Sequence, residues 1–238
     1  RLVSDVMVRN NYFENSRRTG EIVGSGSNTR TERPPIIEGP QQRISFVHNT
    51  VRHSLSEIVP ANPSETNPVT RNAPWLRIAQ PLGGGTAALV MRGNLFISQT
   101  FETSNHSPIP GSDQTLIRIN GFTAQNVKDG TSPFIAGQVS KNVFPTPPAS
   151  RLYRFAFSDG DRTFSETSTL GWGNIFAGDS QVTVSLNSAF RPSSPTAPVA
   201  TIDQATNLTS LYGLVGDLYG DLRPTTNEWT VGAVQRPA

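Results

Sequence analysis

Arg9, His48, Arg92 and Lys141 occupy near-equivalent places in a short recurring pattern, each one or two residues before an Asn. On one face of a sheet they would form a basic stripe. Arg suits bidentate contact with carboxylates or sulfates, and His titrates near neutrality and can take a proton. Arg9, His48 and Arg92 are therefore the candidate catalytic residues, set against the plainer reading of a solvated sheet face. Asp159-Gly160-Asp161 is the closest acidic pair; followed by Arg162, it reads as a turn. His48, His53 and His106 are too scattered for a metal site, and none is expected. Leu82-Gly83-Gly84-Gly85-Thr86 lacks the Lys and following helix of a phosphate loop. Asn105-His106-Ser107 and Asn207-Leu208-Thr209 match the glycosylation sequon, which matters only in a secreted eukaryotic protein. Trp75 follows a Pro-rich stretch and is the candidate for carbohydrate binding by stacking on a sugar ring; its other reading is a plug that packs that stretch down.

The elements that must carry these residues are legible as a repeated cassette. A β-rich run meets Asn and then two mostly apolar residues. It reads Val6-Met7-Val8-Arg9-Asn10-Asn11-Tyr12-Phe13, Ile44-Ser45-Phe46-Val47-His48-Asn49-Thr50-Val51 and Leu89-Val90-Met91-Arg92-Gly93-Asn94-Leu95-Phe96. It returns as Val139-Ser140-Lys141-Asn142-Val143-Phe144 and Gly173-Asn174-Ile175-Phe176. Alternation puts Val6 and Val8 on one face and Met7 and Arg9 on the other, and likewise Leu89 and Met91 against Val90 and Arg92. Asn11, Asn49, Asn94, Asn142 and Asn174 fall where the chain must turn, a place that suits Asn because it tolerates left-handed backbone. Stacked, these five form a structural Asn ladder of the cross-β kind. The aromatic that follows (Phe13, Phe96, Phe144, Phe176) is the next inward residue and fills the core.

Successive ladder positions lie 38, 45, 48 and 32 residues apart. A unit that cannot bury its apolar face alone must stack on its neighbours, so the expected fold is an all-β solenoid of stacked coils. Residues 1–186 are read as its coils, with loops inserted at 17–43, 56–74, 102–114 and 145–150. Further strands are expected at 115–119, 152–157 and 181–186. Helical signal is weak throughout, and 201–215 reads as loop with one turn at most.

Bulk properties narrow the function classes. The 238 residues are 35% hydrophobic and 16% charged, with 20 Gly and 19 Pro. That is turn-rich yet apolar enough for a core, which excludes global disorder. There is no Cys, hence no disulfide and no thiolate metal site. A net charge of +2, with Lys128 and Lys141 the only lysines, makes no case for nucleic acid. No apolar run is long enough to insert into a membrane.

The cassettes, above all Asn10-Asn11-Tyr12-Phe13-Glu14-Asn15 and His48-Asn49-Thr50-Val51, resemble the corner repeated in right-handed parallel β-helix proteins of the pectate-lyase-like superfamily. Arg191-Pro192-Ser193-Ser194-Pro195, Asp217-Leu218-Tyr219-Gly220-Asp221-Leu222-Arg223-Pro224 and Trp229-Thr230-Val231-Gly232-Ala233-Val234 resemble the closing segment of many such proteins. The two resemblances imply an all-β, right-handed parallel β-helix solenoid in which residues 187–238 are a closing, capping segment. Trp229-Thr230 stands where that segment usually carries an acidic residue. The resemblance implies that Arg1 lies within the array and that the closing segment is the natural C-terminus; it makes Asp217 and Asp221 structural. It also implies an extracellular, cell-surface or virion location.

Such folds host both enzymes and binding modules. Lyases among them abstract a proton beside a uronate carboxylate with an Arg or Lys base and clustered carboxylates on Ca²⁺; the hydrolases pair Asp residues on adjacent coils. No such acidic cluster accompanies Arg9, His48 and Arg92, so no cofactor is expected, and Ca²⁺ only if the protein is a lyase. The function expected is a structural and carbohydrate-recognition module of a virion, of the phage tailspike or fibre type, or of a cell-surface protein. Its partner is polysaccharide, and its state a homotrimer or larger assembly. The alternative is an extracellular polysaccharide lyase or glycoside hydrolase with catalytic coils partly upstream of residue 1.

Overall fold

The computed structural model describes residues 3–4, 6–14, 20–23, 36–38, 41–42, 44–54, 58–59, 69–70, 76–79, 89–99, 114–129, 139–146, 153–163, 179–193, 209, 213–225 and 229–235. The first strands are β1 (Val3–Ser4), β2 (Met7–Arg9), β3 (Tyr12–Glu14), β4 (Gly20–Val23), β5 (Ile36–Glu38), β6 (Gln41–Gln42) and β7 (Ile44–Val47). Then come β8 (Thr50–Ser54), β9 (Ile58–Val59), β10 (Val69–Thr70), β11 (Leu76–Ala79), β12 (Leu89–Arg92), β13 (Leu95–Gln99) and β14 (Gln114–Asn120). After the helix α1 (Ala124–Lys128) follow β15 (Val139–Ser140), β16 (Val143–Phe144), β17 (Tyr153–Phe157), β18 (Gly160–Thr163), β19 (Ser180–Gln181), β20 (Ser185–Leu186) and β21 (Pro192–Ser193).

Three larger sheets gather these strands. One has the order β15-β12-β7-β2, a second β19-β16-β13-β8-β3, and a third β18-β17-β14-β11-β4-β5. The first two are wholly parallel, and the third is parallel except for the β17–β18 hairpin. Each of the four cassettes within the described residues supplies one strand before its Asn to the first sheet and one after it to the second. Register is strict: Val8, Phe46, Met91 and Val139 align across the first sheet, and Phe13, Val51 and Phe96 across the second.

This architecture corrects the fold class read from the sequence. The expectation was an all-β, right-handed parallel β-helix solenoid. The structure has several parallel sheets with few helices and resembles an α/β-type fold. Helix α1 lies between β14 and β15 in the chain, the antiparallel pairs β9–β10 and β20–β21 form two-stranded sheets of their own, and the β17–β18 hairpin ends the third sheet. The cassettes record strand and turn, which parallel sheets of different classes share; they carry no record of what is inserted between them.

Helix α1 forms just after Gly121-Phe122, in a short run that mixes polar residues with Ala124 and Val127. Thr123 accepts from the Asn126 N–H and Asn126 Oδ1 accepts from the Thr123 N–H, a reciprocal capping box. Asp159 Oδ1 accepts from the Ala124 N–H at 2.8 Å, so the β17–β18 turn caps the helix. Ala124 and Val127 are its buried face. Five residues are too few for a periodic signal to stand out.

The main core is shared by all three sheets. Phe46, Met91, Val51, Phe96 and Phe144 meet Leu116, Ile117, Ile119, Phe155 and Phe157 there, with Val6, Val8 and Phe13 at its edge. Phe96 and Phe144 stack with centroids 4.9 Å apart, and Phe155 meets Phe144 edge-on at 5.3 Å. Leu116 and Ile117 are both buried although adjacent, because the register shifts between Thr115 and Ile117. Phe176 lies outside the described residues. The strand expected at 181–186 is broken into β19 and β20.

A second apolar cluster lies on the opposite face of the first two sheets. Val47, Val90, Leu95, Ile97 and Val143 project there and are covered by Val184, Leu214, Trp229 and Val231. The C-terminal segment therefore packs against the outward face that the sequence left to solvent.

Candidate functional site

The turn between the first two sheets is where the chemistry-bearing residues converge. The residue before each of the four described ladder Asn residues takes the left-handed conformation: Asn10 at φ 52°, His48 at 51°, Gly93 at 65° and Lys141 at 60°. The ladder Asn itself does not, which moves the bend one residue earlier than the sequence suggested. The reason is in the hydrogen bonds. An extended Asn can aim both its N–H and its side chain along the stack.

Asn11 donates from N and Nδ2 to Asn49 Oδ1 at 3.0 and 3.1 Å. Asn49 does the same to Asn94 Oδ1 at 3.0 and 3.2 Å, and Asn94 to Asn142 Oδ1 at 3.1 and 2.9 Å. Nδ2 also reaches a carbonyl on the preceding strand: Asn49 to Val8, Asn94 to Phe46 and Asn142 to Met91. At the edge, Asn11 Nδ2 bonds the Arg9 carbonyl instead. Asn49, Asn94 and Asn142 are completely buried, so each polar group must find a partner, and the ladder supplies it.

Beyond Asn142 the acceptor is Asp179. Its Oδ1 takes the Asn142 N–H at 2.7 Å and Nδ2 at 3.3 Å. Asn174 lies outside the described residues. Burial pushes the Asp179 carboxyl up to about 7, against the two Asn142 hydrogen bonds, which act in the lowering direction. Gly178-Asp179-Ser180 repeats the Gly93-Asn94 order with Asp for Asn, a signal present in the sequence but masked by the closer cassette match at 173–176.

The three candidate catalytic residues are not brought together on an open surface. Arg9, Val47 and Arg92 share one register row, so the two Arg residues are separated by a whole strand, roughly 10 Å between backbones. Val47, between them, is fully buried in the outer cluster. Arg9 is exposed and Arg92 half-buried. His48 is completely buried, its ring 5.1 Å from that of Trp229. Trp75 and His106 lie outside the described residues, and the side chain of His53 is not among those described. Asp159 caps α1 and lies 3.5 Å from Arg162, which agrees with the turn reading.

What covers His48 is a polar clasp formed within the segment 187–238 that the sequence marks as a closing cap. Buried Arg223 donates from Nη1 to the Thr230 carbonyl at 3.1 Å and Gln235 Oε1 at 3.2 Å. Its Nη2 donates to the Gly232 carbonyl at 2.9 Å and Asn10 Oδ1 at 3.1 Å, and its guanidinium lies 5.2 Å from the Trp229 ring centre. Burial lowers the guanidinium to about 10 while Asp217 acts the other way; at neutral pH it stays charged. Asp217 accepts the Tyr219 and Asp221 N–H groups on Oδ1 and the Gln235 N–H on Oδ2. Arg191 pairs with Asp221 and reaches the Gln235 carbonyl.

The clasp is pinned across the ladder turn. Gly232 N donates to the Gly93 carbonyl at 2.7 Å, Ala233 N to Thr50 Oγ1 at 2.9 Å, and Asn10 Nδ2 to the Gly216 carbonyl at 2.7 Å. Among the described residues no group of three His, Cys, Asp or Glu side chains is placed to hold a metal ion, and no helix is long and apolar enough to cross a membrane. No family model matches the chain, and neither the curated proteins nor the solved structures compared with it give a match.

Proposed function

We propose that this protein is a structural and carbohydrate-recognition module of a virion spike or fibre, or of a cell-surface protein, working in a homotrimer or larger assembly. The observation that carries this reading is the closure of His48 beneath Trp229. The face that would have carried proton abstraction is packed against the clasp, with Val47 buried between Arg9 and Arg92. A residue buried in that way has no route to a polymeric substrate. The remaining design favours shape retention: parallel sheets, a buried ladder and a segment from the far end of the chain holding the turn in place.

The test pairs binding with turnover. Acidic and neutral polysaccharides are immobilised, retention of the protein is measured, and the eluate is assayed for new reducing ends and unsaturated uronates. Retention without product is the expected result, with native mass spectrometry reporting a trimer or larger complex. Product formation by a monomer, lost in Arg9→Ala or Arg92→Ala, would replace the reading with that of an extracellular lyase or hydrolase.

A further inference from the structure

The ladder is built from amides, and its last observed member is a carboxyl. In the Asn49, Asn94 and Asn142 rungs Oδ1 accepts two N–H groups while Nδ2 donates to a carbonyl on the preceding strand. Those carbonyls belong to Val8, Phe46 and Met91, which stand in one register row, and the next residue in that row is Val139. Asp179 fills the Oδ1 role for Asn142. By analogy with the other rungs, its Oδ2 corresponds to the amide Nδ2. That oxygen is buried and makes no hydrogen bond among the described residues. A bare carboxylate oxygen in a site made for a donor faces an acceptor across the row; a carboxylic acid there donates as the amide does.

We infer that Asp179 is a protonated rung, an acid that completes the ladder as a donor to the Val139 carbonyl and opens that end of the stack when it ionises. The raised titration of Asp179, to about 7, agrees with this. The group facing Asp179 is Asn142, which is uncharged. Burial and the two Asn142 hydrogen bonds are the causes of the Asp179 shift, with no charged neighbour among them. The sign is that of a carboxyl raised on folding: the unfolded chain ionises first, so stability is fully present below the ordinary carboxylate range. It is lost as pH rises from about 4 to about 7 and is level beyond. The consequence is an end of the stack that is firm in acid and loosened at neutral and alkaline pH.

The experiment is urea denaturation of the full chain between pH 5 and pH 8, beside Asp179→Asn. In the wild type the unfolding constant should rise with pH, by at most about tenfold per unit for one proton. Asp179→Asn carries the donor permanently, so it should remove that rise and unfold at higher urea than the wild type at pH 8. Equal pH profiles for the two proteins, or a variant weaker than the wild type at pH 8, would overturn the inference. Infrared difference spectra give a reading that does not depend on stability. A protonated carboxyl band present in the folded wild type at pH 6 and missing in Asp179→Asn is expected; its absence from the wild type would also overturn it.

Discussion

Gly232 lies so close to Thr50 that a Cβ built on the glycine would sit 2.6 Å from the Thr50 hydroxyl and 3.0 Å from Leu95 Cβ. Its φ of +92° is also one that side chains avoid. Gly232→Ala therefore meets both strain and overlap, and should cost about 2–4 kcal/mol from overpacking and left-handed backbone together. Urea denaturation checks the size. Adding Thr50→Ala should cost less on the Gly232→Ala background than alone, because the clash is then partly relieved.

Asn94 is the middle of the ladder and takes part in four hydrogen bonds through its side chain. Asn94→Ala strips acceptors from Asn49 and a donor from the Phe46 carbonyl. At roughly 1–3 kcal/mol per buried group left unpaired, a loss of about 3 kcal/mol or more is expected. Asn94→Asp keeps the acceptor and loses the donor. It should be more stable at pH 5 than at pH 8, since protonation restores an O–H in place of the amide.

Trp229→Ala should cost about 3–5 kcal/mol, the usual range for emptying a buried aromatic site. Its diagnostic effect is chemical. His48 should resist diethyl pyrocarbonate in the wild type and react in the variant, read by mass spectrometry of the peptide containing it. Equal reactivity in both would mean that Trp229 does not shield His48.

Arg223→Lys retains the charge and loses the planar fork that spans Thr230, Gly232, Asn10 and Gln235. A cost of about 2 kcal/mol is expected, from several charge-assisted hydrogen bonds lost and only some replaced. Hydrogen exchange should quicken at 229–235 and stay slow in the β7–β12 pair. Uniform quickening would show that the clasp and the sheets open as one unit.

Lys141 holds φ 60° without the freedom of glycine, as His48 and Asn10 do at the equivalent turns. A β-branched residue is worse placed there than an unbranched one. Lys141→Val should destabilise by about 1–2 kcal/mol. Lys141→Gly should lie within about 1 kcal/mol of the wild type, relief of strain being offset by the looser unfolded chain. Thermal melts of the two variants separate these outcomes.

The parts that were legible in the sequence are those governed by neighbouring residues. Alternation in Val6-Met7-Val8-Arg9 and Val90-Met91-Arg92 divides inner from outer side chains as the structure does, and β14 and β17 overlap the expected 115–119 and 152–157. The fold class was misread because Thr123, Asn126 and the distant Asp159 together stabilise a helix too short to announce itself. The outer face was misread for a related reason. Trp229 and Val231 cover Val47 and Val90 from far along the chain, and no local pattern reports which apolar face a remote segment will seek. Among the site residues, Asp179 was overlooked because a carboxyl was not counted as an equivalent of Asn, although it becomes one on taking up a proton.

The pairing of Asn10 with Gly216 and of Thr50 with Ala233 spans 206 and 183 residues. Loops of that length close slowly, and the sheets they join are themselves made of strands tens of residues apart. During synthesis the outer row of Val47, Val90, Leu95 and Val143 is complete well before Trp229 emerges from the ribosome. For that interval the growing polypeptide carries an uncovered apolar stripe, the kind of surface that recruits chaperones or aggregates. Folding yield should therefore depend on the last few dozen residues more steeply than equilibrium stability does.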